Sequence, residues 1–255
     1  MATDRNTLAA QANLFNLSSN LYPGRGIVAG LDETGANLVQ VYWVMGRSEN
    51  SRNRVFKGDP NTGRLYTEAA DPSKMKDSSL IIYNAMREYA GFLVVSNGDQ
   101  TDTVIEKLRE SPQVNCYPQA ALSSRQYEPD APNFTQRITA VSSVWKNQHQ
   151  GTGFSILRKS RFGTGCDNLA YEYPCIRPGF GFCITTYAGD GNPLPPFYGD
   201  PLLMPLTGSI KDIAETYWKA LNEENRVSLA VKFFEMANGH VDFHIINKYQ
   251  QVQVG

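Results

Sequence analysis

The chain has 255 residues, 41% of them hydrophobic and 19% charged, enough to bury a full core without disulfides or a structural metal, which excludes disordered and collagen-like classes. Its 24 basic and 25 acidic residues leave a net charge of -1, which argues against a nucleic-acid partner recruited by bulk electrostatics. No run approaches the roughly 18 consecutive apolar residues of a membrane span, and Met1-Ala2-Thr3-Asp4-Arg5 leads into no signal-peptide core; a cytoplasmic chain with no membrane partner is expected.

Leu8, Ala9, Ala12 and Phe15 recur at helical spacing between Thr7 and Leu17, and Asn20-Leu21-Tyr22-Pro23-Gly24 ends the pattern, predicting an N-terminal helix. From Gly26 to Val44 the chain is rich in Val, Ile and Tyr around Asp32-Glu33-Thr34-Gly35, which reads as two paired strands leading into an arginine-rich loop. Phe92-Leu93-Val94-Val95 is a buried-strand run followed by Asn97-Gly98, then a helix with Val104, Ile105 and Leu108 on one side. Capping accounts for at least one of Asp99, Thr101 and Asp102 in its first turn.

A proline-punctuated stretch from Ser111 to Asn133 precedes strands predicted over Ile138 to Trp145, Gly153 to Leu157 and Phe180 to Tyr187. Asn192 to Pro205 reads as a loop. Ser209 to Asp212 resembles a capping box ahead of a helical stripe, Ile210, Ile213, Ala214, Tyr217 and Leu221. Val227 to Phe233 and Val241 to Ile245 alternate around the turn former Asn238-Gly239, predicting a terminal β-hairpin. Many strands and few helices without regular alternation favour a single α+β layered domain over residues 1–255.

Cys116, Cys166, Cys175 and Cys183 form no CxxC pair, so reduced, mostly buried thiols are expected. A catalytic cysteine would need His149, His240 or His244, none of which a signature connects to a thiol. His240 and His244 have the spacing of a helical metal pair but lie in a strand pattern, about 13 Å apart on one face, so no metal site is expected. Gly151-Thr152-Gly153 and Gly163-Thr164-Gly165 lack the residues of a P-loop or dinucleotide fingerprint. An N-terminal nucleophile would require cleavage to expose Thr3 or a later Ser, Thr or Cys.

Four polar clusters remain, each where a strand ends: Tyr22 to Gly26, Gly46 to Arg54, Asn97 to Asp102, and Glu128 to Arg137. Arg47, Arg52 and Arg54 suit a phosphate monoester, since guanidinium groups match phosphate with paired hydrogen bonds; a solvated basic loop explains them equally. Arg25 lies in a glycine-flanked turn open to close ligand approach. Asn97 and Asp99 stand at a strand-to-helix junction, a usual place for polar groups to meet a substrate, and Glu128 or Asp130 is a candidate general base that turn formation also explains.

Together the stretches YPGRG (22–26), GRSENSRNR (46–54), FLVVSNGDQTDT (92–103), EPDAPNFTQRITAV (128–141) and FCITTYAGDGNPLPPFYGDP (182–201) resemble the archaeal-type inosine monophosphate cyclohydrolase family in content and order, over roughly residues 22 to 205. Gln136 stands where that family suggests proline, and residues 1–21 and 206–255 look like additions. The resemblance implies a four-layer α-β-β-α sandwich similar to the N-terminal-nucleophile hydrolases but without a processed nucleophile. It implies cofactor-independent closure of the purine ring of a formamido ribonucleotide, a small-molecule partner, and compatibility with a homo-oligomer. Its implied substrate contacts are Tyr22, Arg47, Arg52, Asn97 and Arg137, with Arg25, Asp99, Glu128 and Asp130 as catalytic residues and no metal. A nucleotide-binding protein of the same fold without the reaction is the alternative.

Overall fold

A computed structural model describes residues 4–75, 78, 80–111 and 118–251. Five α-helices occur among them: α1 (Arg5–Ser19), α2 (Glu49–Arg52), α3 (Gln100–Glu110), α4 (Pro118–Ala121) and α5 (Ile210–Ala220). The strands are β1 (Gly26–Leu31), β2 (Asn37–Met45), β3 (Val55–Asp59), β4 (Arg64–Glu68), β5 (Asn84–Tyr89), β6 (Phe92–Ser96), β7 (Arg137–Trp145), β8 (Gln148–Lys159), β9 (Cys166–Tyr173), β10 (Phe180–Thr185), β11 (Leu202–Pro205), β12 (Arg226–Glu235) and β13 (Val241–Asn247).

Two antiparallel sheets result, ordered β11-β10-β1-β2-β12-β13 and β3-β4-β5-β6-β7-β8-β9, so the fold is mixed α+β with few helices. The central strands β1 and β2 are buried on both faces, and for that reason their sequences run nearly continuously apolar instead of alternating. Ile27, Ala29, Tyr42 and Val44 of the first sheet meet Phe56, Met86, Val95 and Phe154 of the second in the core between the sheets. Leu17 of α1 and Ile213, Ala214 and Tyr217 of α5 cover the outer face of the first sheet. On the second, Val104, Ile105 and Leu108 of α3 pack against Val94, Val141 and Leu157. Burying each such side chain contributes about 1.5–3 kcal/mol.

Local chemistry explains where several elements begin. Ser209 and Asp212 form the reciprocal capping box at α5, satisfying two otherwise orphaned N–H groups. In the β1–β2 turn the Asp32 carboxylate accepts the Asn37 N–H at 2.9 Å. Burial acts to raise the Asp32 pKa, but hydrogen bonds from Thr34, Asn37 and Gly35 outweigh it and hold the carboxyl below its ordinary value.

Three expectations need correction. The stretch from Asn192 to Pro205 ends in β11, whose Leu202 to Pro205 pair with β10; Pro201 and Pro205 disguise it, but proline is tolerated on an edge strand that lacks a neighbour on one side. At α3, Asp99 occupies the N-cap position without a side-chain capping bond. Its carboxylate is drawn to Arg125 and Arg137, while Asp102 pairs with Arg87 and Thr101 Oγ1 donates to the Gly98 carbonyl at 3.3 Å. Of the cysteines, Cys183 is buried, Cys166 is half-buried and Cys175 exposed, and Cys116 lies outside the described residues. His244 lies on β13 and His240 just before it. Among the described residues no cluster of three metal-type ligands occurs, and no helix is long and apolar enough to cross a membrane.

Candidate active site

At the N-terminal end of β1, Tyr22 to Gly26 runs beside Thr186 and Tyr187, just past the C-terminal end of β10. The Arg25 N–H donates to Thr186 Oγ1 at 3.1 Å, and the Tyr187 N–H donates to the Pro23 carbonyl at 3.1 Å. Gly24 makes this approach feasible: its φ is +71°, and a Cβ there would collide with Thr186 Oγ1 and the Tyr187 ring. The Tyr22 and Tyr187 rings stack with centroids 5.9 Å apart, forming one wall of a cavity of 380 Å³, a size typical of small-molecule sites.

Arg25 crosses from the first sheet to the second. One guanidinium nitrogen donates to the Asn97 carbonyl at 3.0 Å and another to Glu128 Oε2 at 2.7 Å. Both side chains are nearly dry, 11% exposed for Arg25 and 3% for Glu128. Burial works against the Arg25 charge, yet Glu128, joined by Tyr83 and Tyr42, outweighs it, and the guanidinium is held well above its ordinary pKa. Glu128 Oε1 is shielded from solvent and has no hydrogen-bond partner among the described residues.

The loop after Glu128 folds onto itself. The Glu128 N–H donates to the Thr135 carbonyl at 2.8 Å, and the Thr135 N–H donates to Asp130 Oδ1 at 2.6 Å. Thr135 Oγ1 in turn contacts both Asp130 Oδ2 and the Tyr187 hydroxyl. Burial pushes the Tyr187 phenol up to about 12, so it stays protonated at neutral pH. Burial likewise raises Tyr22, with Arg25, Arg54, Arg47 and Arg52 pulling the other way.

The arginine-rich segment closes the opposite wall. Ser48 caps α2 with a reciprocal bond to Ser51, which turns the chain so that Arg47 and Arg54 both line the cavity. Arg47 lies 4.8 Å from the Tyr22 ring centroid and pairs with Asp190. Arg54 is only 5% exposed; its Nε donates to the Ser51 carbonyl at 3.0 Å, and no acidic partner occurs among the described residues. Asn50 adds a second shielded acceptor, Oδ1, without a partner among the described residues.

Of the residues singled out from sequence, Tyr22, Arg25, Arg47, Arg54, Glu128 and Asp130 line this cavity. Arg52, Asn97, Asp99 and Arg137 do not. Arg52 turns outward, donating through Nε to the Gly46 carbonyl at 2.9 Å and lining a different surface hollow. Asn97 is fully buried, its Oδ1 accepting the Ile138 N–H and its Nδ2 donating to the Gln136 carbonyl, each at 2.8 Å; only its backbone carbonyl reaches the site, through Arg25. Arg137 binds Asp99 at 2.7 Å behind that turn. Burial tends to raise Asp99, and Arg125 with Arg137 outweighs it, lowering the pKa. Asn50, Thr135 and Tyr187 also line the cavity and carry no role in the sequence reading. Arg54 was visible in the basic run, but only the helical turn of α2 separates its direction from that of Arg52.

The description "IMP cyclohydrolase-like protein" belongs to the family model that matches residues 22–239. Across 123 residues the chain is 32% identical to the IMP cyclohydrolase of Methanocella arvoryzae, covering 48% of this chain and 58% of that protein. A stretch of 126 residues is 32% identical to the IMP cyclohydrolase of Methanopyrus kandleri, covering 48% and 59%. The matched part thus spans somewhat more than half the length of each relative. With 218 consecutive residues matched, from Tyr22 to Gly239, the chain belongs to the IMP cyclohydrolase-like protein family.

Proposed function

We propose that the protein closes the purine ring of 5-formamidoimidazole-4-carboxamide ribonucleotide, giving IMP and water. The carrying observation is one cavity lined by the cations Arg25, Arg47 and Arg54 together with Glu128 and Asn50, whose Oε1 and Oδ1 have no partner among the described residues. That substrate is the complement: a phosphate for guanidinium groups, and carboxamide, formamido and hydroxyl hydrogens for orphan acceptors, whose desolvation goes uncompensated until a donor arrives.

In the reaction the carboxamide nitrogen bonds to the formyl carbon, and the formyl oxygen leaves as water with one hydrogen from each of the two nitrogens. Both groups belong to one molecule, so holding them in contact supplies much of the acceleration. Arg47 and Arg54 hold the phosphate. Glu128 accepts the proton of the attacking nitrogen, and Arg25 stabilises negative charge on the formyl oxygen. Thr135 Oγ1 gives its one hydrogen to Asp130 and so accepts the O–H of Tyr187, which fixes the tyrosine ring at the cavity wall, and the proton taken up by Glu128 passes on to the departing oxygen. Asn97 orients Arg25 through its carbonyl, and the Asp99–Arg137 pair supports the Asn97 turn. None of these steps involves electron or group transfer to a carrier.

The order helix, sheet, sheet, helix supports a four-layer sandwich of the N-terminal-nucleophile-hydrolase type without a processed nucleophile. One domain is the accompanying reading: β12 lies between β2 and β13, and the family match leaves α1 outside it.

Purified protein mixed with the formamido ribonucleotide tests the activity. Ultraviolet absorbance is expected to follow ring closure well above the spontaneous rate. Tight IMP binding without acceleration would overturn the catalytic reading in favour of a nucleotide-binding protein.

A further inference from the structure

A second cavity, of 250 Å³, lies on the other side of the Asn133–Leu194 contact, where the Leu194 N–H donates to Asn133 Oδ1 at 3.0 Å. Its lining contains Arg158, Lys159 and Arg161 and no acidic residue. Aromatic rings hold the cations in place: Lys159 Nζ sits 3.7 Å from the Phe134 ring centroid, and the Arg161 and Arg158 guanidiniums 3.8 and 4.6 Å from that of Tyr198. Arg158 spends only its Nε on an acid, Asp167, at 3.3 Å; among the described residues Lys159 and Arg161 have no acidic partner.

Gln136 supplies an independent sign of a ligand. The side chain is fully buried and lines this cavity, its Nε2 donates to the Phe197 carbonyl at 2.9 Å, and its Oε1 has no partner among the described residues. A shielded amide oxygen left unpaired costs about 1–3 kcal/mol, which a ligand O–H or N–H would recover. Lys159 and Arg161 are exposed and Arg158 is half-buried; three cations around a lining without an acid attract an anion, and guanidinium pairs best with phosphate or carboxylate. The volume is below that of most drug-sized sites, roughly 300–1,000 Å³, and suits a group no larger than a sugar phosphate.

We propose that this cavity binds a ribose 5-phosphate group, with Lys159 and Arg161 on the phosphate and Gln136 Oε1 accepting a sugar hydroxyl. The group is either the free sugar phosphate or the phosphoribosyl end of a nucleotide held beside the first cavity. This site does not depend on the ring-closing reading, since the first cavity has its own cations.

Calorimetric titration with ribose 5-phosphate tests it. Two equivalents per chain are expected, one lost in Lys159→Ala/Arg161→Ala and the other in Arg54→Ala. The double variant should keep the ring-closing kcat and KM of the unaltered protein. Gln136→Leu should weaken the second site for the sugar phosphate about tenfold, the loss of one hydrogen bond, and leave inorganic phosphate binding there unchanged. Displacement of the second equivalent by IMP identifies a nucleotide as the source, and resistance to IMP identifies the free sugar phosphate. A single equivalent that the double variant leaves intact would overturn the proposal, as would equal affinity for inorganic phosphate. Absence of ring closure would bear on the first cavity alone.

Discussion

Arg25 donates to the Asn97 carbonyl and to Glu128 Oε2 from one guanidinium, so the first sheet, the second sheet and the acidic loop all meet at one cation. Removing one partner of such a nearly dry ion pair leaves an uncompensated charge, at a cost of about 3–5 kcal/mol. Arg25→Met is expected to lower unfolding stability by that amount in urea titrations, and adding Glu128→Gln should restore part of it. A double variant no more stable than the single one would show that the pairing is energetically idle.

Glu128→Gln alone separates catalysis from binding. The amide keeps a hydrogen-bond acceptor for Arg25 but gives up the basic carboxylate, so single-turnover ring closure should slow about 10²–10⁴-fold while IMP affinity changes little. Equal losses in rate and affinity would assign Glu128 to substrate binding.

Arg54 and Arg52 are two residues apart and face different surroundings. Arg54→Ala should raise the KM for the formamido ribonucleotide roughly 10- to 100-fold, the value of hydrogen bonds to a charged group. Arg52→Ala should stay within about threefold, because its guanidinium is engaged with Gly46 and Asn225 outside the cavity. Steady-state kinetics of the pair decide between them, and the reverse ranking would place the phosphate elsewhere.

That contrast marks the limit of what the sequence reveals. The strands Gly26–Leu31 and Phe92–Ser96 and the helix Ile210–Ala220 are legible because burial on both faces, or one amphipathic stripe, leaves its imprint on residue order. The short edge strand Leu202–Pro205 and the half-buried Cys166–Tyr173 are not, since edge positions admit proline, charge and irregular alternation. Clusters of site residues could be found, but not their directions. Asn97 reads as a substrate ligand and is instead consumed by the Gln136 and Ile138 backbone, whereas Tyr187 reads as the end of a strand and turns its hydroxyl to Thr135.

Gly24→Ala tests the backbone at the site. The positive φ and the absence of room beside Thr186 and Tyr187 predict a loss of about 1–3 kcal/mol from strain and a fall in ring-closing rate, as Arg25 and Tyr187 are displaced together. Thermal unfolding and kinetics on the same sample check both; full activity with lowered stability would separate the turn from the site.

Acid should weaken the fold through Asp32. Its pKa is lowered below the ordinary 3.8 in the folded chain, so its stabilisation is complete above that value and disappears as pH falls through the lower folded one. Between neutral pH and about pH 2, Asp32→Asn is expected to lose less Tm than the unaltered protein, because it has no carboxylate left to protonate. Parallel Tm profiles would remove Asp32 from the acid response.

Because Arg25 is anchored in one sheet and bonded to the other, its position registers the gap between them. A truncation far from the cavity, such as Phe154→Ala in the layer they share, is expected to let the sheets settle toward each other, and the proposed ring closure should slow even though every side chain lining the cavity is intact. Turnover then serves as a gauge of core spacing, and substitutions that tighten or loosen the middle of the molecule become a means of tuning rate without touching the chemistry.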